Sequence, residues 1–272
     1  MKWEYRYKGE NKMTIFQSIV LGVIQGFTEL LPISSSAHLT ITPWVFNWSI
    51  PDSFDVALHF GTLLAIAIFF FKDWIALIIG GYKQIIKKEK TVEGKMFWYI
   101  VIATIPGGAI GFLLDHFAED ILSKPLIIGI ALIVMGIVLY VVDKNSKSET
   151  KYEEMTFKQT FIIGLSQALA FIPGVSRSGI TMTTGRIMGV KRESAAKYSF
   201  MLSAPIVLGA TLYKFKDFVF DIPFLIGVIT SFLVGIVVIK FLLEYLKKGS
   251  FKIFAIYRVL IGIIVIVLVF IK

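Results

Sequence analysis

The sequence predicts an all-α integral membrane protein, with about six transmembrane helices plus two re-entrant broken-helix hairpins arranged as inverted-topology repeats. Three observations predict it. First, 56% of the 272 residues are hydrophobic and 17% are charged, with a mean hydropathy of +0.76. Soluble domains run near 45–50% apolar and about 25% charged. Second, the apolar residues fall in runs long enough to cross a bilayer, which takes about 20 residues. Third, two of the apolar runs break at serine clusters, and those breaks carry matching polar residues.

The elements follow in chain order. Residues 1–12 (MKWEYRYKGENK) form a polar N-terminal tail, and residues 13–272 a single membrane domain. Segment 14–31 is apolar but breaks at Leu-Pro-Ile-Ser-Ser-Ser, residues 31–36. A span at 54–71 precedes a charged loop at 72–95, and a second span occupies 96–114. A loop at 115–124 leads to a span at 125–142, followed by a loop at 143–156. Segment 157–172 breaks at Pro-Gly-Val-Ser-Arg-Ser, residues 173–178. Spans at 197–213, 222–239 and 253–271 complete the chain.

Charge sets the orientation. Loop 72–95 holds six Lys against three acids, and 240–252 holds four Lys against one Glu. The positive-inside rule places both on the cytoplasmic side. Alternation then puts 115–124 outside, 143–156 and 191–197 inside, and both chain termini outside. The net charge of +9 therefore reads as loop anchoring at a cell membrane crossed many times, and no nucleic acid partner is expected. The absence of cysteine excludes disulfides, thiolate metal sites and a cysteine nucleophile.

A shift of 142 residues aligns the two broken segments. Thr14 falls on Thr156, Gln17 on Gln159, Gly22 on Gly164 and Gln25 on Gln167. Ser34 falls on Ser176, and Ser36 on Ser178. The units are then about 13–143 and about 155–272. Each has one hairpin and three crossings. An odd number of crossings inverts the second unit, and inverted repeats with discontinuous helices place a site at the repeat interface.

The hairpins hold the chemistry. Gln25, Thr28 and Glu29 share one helical face by their spacing. Pro32 ends that helix, and Ser34, Ser35, Ser36 and His38 follow. In the second hairpin, Pro173 and Gly174 turn the chain, and Ser176, Arg177 and Ser178 start a new helix with Thr181 one turn on. Serines alone can satisfy broken backbone, and a Glu–Arg pair can be a structural lock. Intramembrane ionisable groups are nonetheless costly and functional by default. Arg177 and Glu29 each lack a partner in their own hairpin, so they are expected to pair across the repeat interface. A helix N-terminus with a forked guanidinium suits a phosphate. His38 and a serine are close enough in sequence for base and nucleophile. Glu29 either orients the histidine or holds a divalent cation.

Other polar residues carry less. Asp55 and His59, one helical turn apart, are placed to line the cavity, and zinc is excluded for want of a third ligand. His116 reads as surface, Lys197 as snorkelling to the inner face, and Arg186, Lys191 and Arg192 as interface anchors.

These motifs resemble those of the undecaprenyl-diphosphate phosphatase family, also called the bacitracin-resistance family. The first motif reads Gln25, Glu29, Pro32, Ser34, Ser35 and His38 in this chain. The second reads Pro173, Gly174, Ser176, Arg177, Ser178 and Thr181. FDVALHFGTLL (54–64) and KYSFMLSAPIVLGA (197–210) are also similar to family sequence. The resemblance implies hydrolysis of a C55 polyprenyl diphosphate to the monophosphate with Mg²⁺ or Ca²⁺, which recycles the lipid carrier of envelope glycan synthesis. It also implies two interdigitated inverted repeats. By motif match, Glu29, Ser35, His38 and Arg177 take the catalytic roles, with Glu29 at the metal. Gln25, Ser34, Ser36, Ser176, Ser178 and Thr181 become phosphate or metal contacts. Gln25 is an amide where the family pattern also allows an acid, which leaves one clear carboxylate. Either Ser35 attacks with His38 as base, or His38 activates a water.

One rival remains on the table and another is excluded. A transporter or flippase of polyprenyl phosphate could use the same pocket. The other membrane lipid-phosphatase superfamily needs a late His followed by Asp, and no His follows His116. A homodimer is left open.

Overall fold

The computed structural model describes residues 13–115 and 123–272, and every regular element among them is helical apart from one isolated bridge between Thr150 and Val190. The tail expected at 1–12, and His116 with most of its loop, lie outside the described residues. The helices are α1 (Ile15–Thr28), α2 (Ser35–Phe46), α3 (Asp52–Phe69), α4 (Phe71–Ile86), α5 (Val92–Asp115) and α6 (Pro125–Asn145). They continue with α7 (Phe157–Ser166), a 3₁₀ turn (Gln167–Phe171), α8 (Arg177–Ile187), α9 (Arg192–Lys214), α10 (Ile222–Leu246) and α11 (Lys252–Ile271).

Among the described residues, four helices are long and apolar enough to cross a membrane, or five if the bent pair α3–α4 is one span. This is a multi-pass membrane protein. Large apolar side chains such as Phe241, Leu260 and Ile263 face outward, where a soluble protein would place charge.

Both expected breaks are present. α1 packs on α2, and α7 on α8, so each broken segment is a pair of contacting helices. Their starts are built alike. Thr14 caps α1 in a reciprocal capping box with Gln17, and Thr156 caps α7 in the same way with Gln159. Small residues then allow close packing between helices, as is usual where lipid supplies no hydrophobic drive. A Cβ on Gly22 of α1 would sit 2.8 Å from Thr230 Cβ of α10. One on Gly164 of α7 would collide with Ala103 of α5.

Two segments differ from expectation. The loop at 72–95 is mostly helix: the chain bends 77° at Phe70 and continues as α4. Its Ile75, Ile78, Ile79, Tyr82, Ile85 and Ile86 are exposed, with Lys72 and Lys83 on the same helix. Counting charges over the window hid this amphipathic period. Similarly, α9 begins at Arg192, five residues before the span expected at 197–213.

The four segments assigned to one side do meet. Lys197 Nζ donates to Asp73 Oδ1 at 2.7 Å, and Lys95 Nζ to Glu153 O at 3.1 Å. Buried Asp143 joins the rest. Its Oδ1 accepts from Arg186 Nε at 2.9 Å and Arg192 Nε at 2.7 Å, and its Oδ2 from Phe251 N at 3.0 Å. Arg186 is therefore a buried hub, 1% exposed, rather than an interface anchor. Lys197 is held by Asp73 and lies over the Tyr152 ring.

Candidate active site

The site forms where the two breaks touch. After α1 the chain turns through Glu29–Ile33 and restarts at Ser34, with φ 75°. After the 3₁₀ turn it crosses Pro173 and Gly174 and restarts at Ser176, with φ 73°. Positive φ is strained for a residue with a Cβ and marks positions that surrounding structure enforces. Here hydrogen bonding enforces it. Ser34 Oγ accepts from Ala37 N at 3.4 Å, and Ser176 Oγ from Gly179 N at 3.0 Å. Each capping hydroxyl also pairs with the serine two residues on, Ser36 and Ser178, at 3.2 Å in both cases.

The breaks are stitched to each other. Gly174 N donates to Ser34 Oγ at 3.2 Å, and Ser178 Oγ to Leu31 O at 3.0 Å. The N-termini of α2 and α8 are thus held side by side. The first N–H groups of each helix have no intrahelical acceptor, which makes the junction a place for an anion.

Glu29 is the centre of the cluster and is 6% exposed. Its Oε1 pairs with Arg177 Nη2 across the interface, the pairing that the lone charges predicted. Its Oε2 accepts from Ser35 Oγ at 2.5 Å and Gln25 Nε2 at 3.3 Å, and lies 3.3 Å from His59 Nε2. Arg177 Nη1 is buried and has no partner among the described residues. It is a strong donor held ready at the junction.

His38 sits differently from expectation. Its Nδ1 lies 2.7 Å from Ser34 O and its Nε2 2.8 Å from Tyr257 Oη. The rings of His38 and Tyr257 stack with centroids 5.7 Å apart. Both ring nitrogens are therefore engaged, and the acid beside Ser35 is Glu29. The histidine that touches Glu29 is His59 of α3, not His38. Thr181 also has its hydroxyl engaged, by Arg177 O at 2.7 Å and Ser199 Oγ at 2.7 Å, which ties α8 to α9.

Residues 18–264 match the family described as "Bacitracin resistance protein BacA". The chain belongs to this family. It is 51% identical over 260 residues to an undecaprenyl-diphosphatase of Pelotomaculum thermopropionicum, covering 94% of this chain and 97% of that one. It is 46% identical to an undecaprenyl-diphosphatase of Desulforudis audaxviator, covering 96% of this chain and 100% of the relative. A relative from Methanosphaera stadtmanae with the same name is 42% identical, over 94% of this chain and 98% of the other.

The cation that the BacA resemblance implies can be tested against the donors. Among the described residues no three His, Cys, Asp or Glu side chains cluster to hold a metal ion. Gln25 Oε1, however, is buried without a partner one helical turn from Glu29. Two oxygens suit a hard cation that brings most of its shell with it, as Mg²⁺ does when phosphates and waters complete it.

Sequence reasoning left three site neighbours unassigned. His59 was placed near the cavity but given no role. Its signal was an ionisable residue on an apolar span. Tyr257 and Arg258 lie inside the run 253–271 that reads as a plain span. A lone arginine in such a run was the signal there.

Proposed function

We propose that this BacA-family chain is a membrane phosphatase. It hydrolyses polyprenyl (undecaprenyl) diphosphate to the monophosphate and inorganic phosphate, and so returns the lipid carrier to envelope glycan synthesis. The observation that carries the reading is the Glu29 cluster: a serine hydroxyl, a guanidinium and two helix N-termini converge on one buried carboxylate. That arrangement can both grip a phosphate and activate a nucleophile.

The steps follow from the contacts. Arg177 Nη1 and the N–H groups opening α2 and α8 bind the terminal phosphate. Ser35 Oγ attacks the terminal phosphorus, and its proton passes to Glu29 Oε2. The bond from that phosphorus to the bridging oxygen breaks, and polyprenyl monophosphate leaves with its tail in lipid. A water then attacks the phosphoserine, inorganic phosphate departs, and Ser35 recovers its proton. As Glu29 takes the proton its hold on Arg177 weakens, so the guanidinium follows charge onto the transferring group. The route in which His38 activates a water instead uses Nε2, which Tyr257 now occupies. A divalent cation, Mg²⁺ or Ca²⁺, would be held by Glu29 and Gln25 Oε1 and would offset the diphosphate charge.

The finer topology belongs to the same proposal: six crossings, two inverted units of about 13–143 and 155–272, and both termini outside. The matched caps at Thr14 and Thr156, and at Ser34 and Ser176, support it. Since the chain lacks cysteine, single cysteines placed at Lys88 and Lys272 can report sidedness in intact cells. Labelling of Lys272→Cys by an impermeant reagent, with Lys88→Cys protected, is expected.

The decisive measurement is phosphate release from a long polyprenyl diphosphate by purified protein, with and without Mg²⁺ or Ca²⁺. Release lost in Arg177→Ala is expected, and near-normal release by that variant would reject the mechanism. The paired breaks also favour a second reading, movement of polyprenyl phosphate across the bilayer. Transport by a Ser35→Ala variant in proteoliposomes tests it.

A further inference from the structure

Arg258 of α11 is fully buried, at 0% exposure, and no carboxylate among the described residues pairs with it. Burying an unpaired guanidinium is costly, and removing water from it leaves several donors to satisfy. Every partner found for it is a backbone carbonyl. Its Nη1 donates to Pro32 O at 3.0 Å. Its Nη2 donates to Gly174 O at 2.7 Å and Val175 O at 2.9 Å, and its Nε reaches Leu132 O at 3.5 Å.

Pro32 lies in the first break and Gly174 and Val175 in the second. These carbonyls lost their helical partners when the chain broke, and one side chain satisfies them all. The peptide bond is planar and trans. When Val175 O is turned toward Arg258, the N–H of Ser176 in the same peptide must point the opposite way. Space for the guanidinium is also built in: a Cβ on Gly179 would lie 2.6 Å from Arg258 Nη1.

We propose that Arg258 is a positioning residue for the phosphate site. It grips both breaks from behind, turns the Ser176 N–H forward, and leaves an unneutralised positive charge under the anion pocket. It does not touch substrate. The adjacent Tyr257 meets His38, so α11 sets both the backbone cradle and the imidazole. This inference rests on the phosphatase reading for what the pocket binds.

The test uses full-length protein in detergent with inorganic pyrophosphate as the probe, read by calorimetric binding, alongside turnover of polyprenyl diphosphate. Arg258→Met and Arg258→Lys are compared with Val265→Ala, a buried truncation on the same helix that reports loss of packing alone. Arg258→Met is expected to weaken pyrophosphate binding and raise KM at least tenfold. Arg258→Lys should recover part of the affinity, because it restores charge but not the fork. Val265→Ala should lower the melting temperature and leave pyrophosphate affinity unchanged. Folded Arg258→Met with wild-type affinity and KM overturns the proposal. So does Arg258→Lys with wild-type affinity if Arg258→Met does not fold, and so does an affinity loss in Val265→Ala matching that of the arginine variants. Wild-type protein that binds pyrophosphate but releases no phosphate rejects the phosphatase reading and leaves the positioning role standing. Wild-type protein that neither binds nor hydrolyses overturns both.

Discussion

The two breaks in this chain share a scaffold and divide the chemistry. Ser34 and Ser176 are alike in φ, in capping and in pairing with the serine two residues on. The positions around them are not alike. At the 142-residue offset, Glu29 corresponds to Phe171, Ser35 to Arg177 and His38 to Ile180. The first break supplies a carboxylate, a serine hydroxyl beside it and an imidazole. The second supplies the cation. What is duplicated is a way of presenting helix N-termini inside a membrane, where broken backbone survives only if it is satisfied internally. What differs is the set of side chains around those N-termini. Arg177 and Ser35 hold the same place in their helices, yet both converge on one carboxylate, because Glu29 is present in one half only.

The sharpest way to break this comparison is to remove the element that the second hairpin lacks. Glu29→Gln keeps the shape but loses the acceptor for the Ser35 proton and leaves Arg177 unpaired. Turnover should fall about 10²–10³-fold, the scale of losing one electrostatic stabiliser, in a phosphate-release assay. Retained turnover would make Glu29 a lock only.

Equivalent positions come next. Ser35→Ala should cost most of the activity and little stability. Ser176→Ala removes a cap and should lower stability by about 1 kcal/mol, with a smaller loss of turnover. Parallel melting curves and rates distinguish the two, and equal effects would mean the serines share one structural task.

His59→Leu removes a neighbour of Glu29 without touching either break. A hydrogen bond to a charged group contributes about 1.5–3 kcal/mol, so roughly a tenfold or greater loss in kcat/KM is expected, and an unchanged kcat/KM would assign His59 to packing.

The smallest effect concerns the outer caps. Gln17→Ala loses one reciprocal bond, worth about 0.5–1 kcal/mol at a cap. Gln159→Ala should cost more, since Gln159 Nε2 also reaches Thr150 Oγ1 at 3.1 Å and Met188 O at 3.0 Å. Thermal unfolding in detergent orders the pair.

Much of this was legible because it is local. Apolar length marks a helix in lipid, and Pro32, Pro173 and Gly174 mark breaks through backbone geometry alone. Thr14 with Gln17, and Thr156 with Gln159, match at the 142-residue offset and mark the two segments as alike. The pairing of Glu29 with Arg177 was also readable, since a lone buried charge demands an opposite one. Charge counting was less reliable. It mistook α4 for a loop, because a window sum discards the periodicity that makes Ile75, Ile78, Ile79 and Lys83 a helix.

The sequence by itself determined the class of protein, its two breaks and the polar side chains they carry, because bilayer physics ties each of these to residue type and spacing. Apart from the Glu29–Arg177 pair, tertiary structure alone decided who meets whom. His59 rather than His38 reaches Glu29, Ser35 donates to that same carboxylate, Arg186 is drawn into the core by Asp143, and Arg258 closes both breaks. Arg258 lies 226 residues from Pro32 and 84 from Gly174. Contacts at that separation depend on how helices pack, and packing joins residues that no local pattern connects.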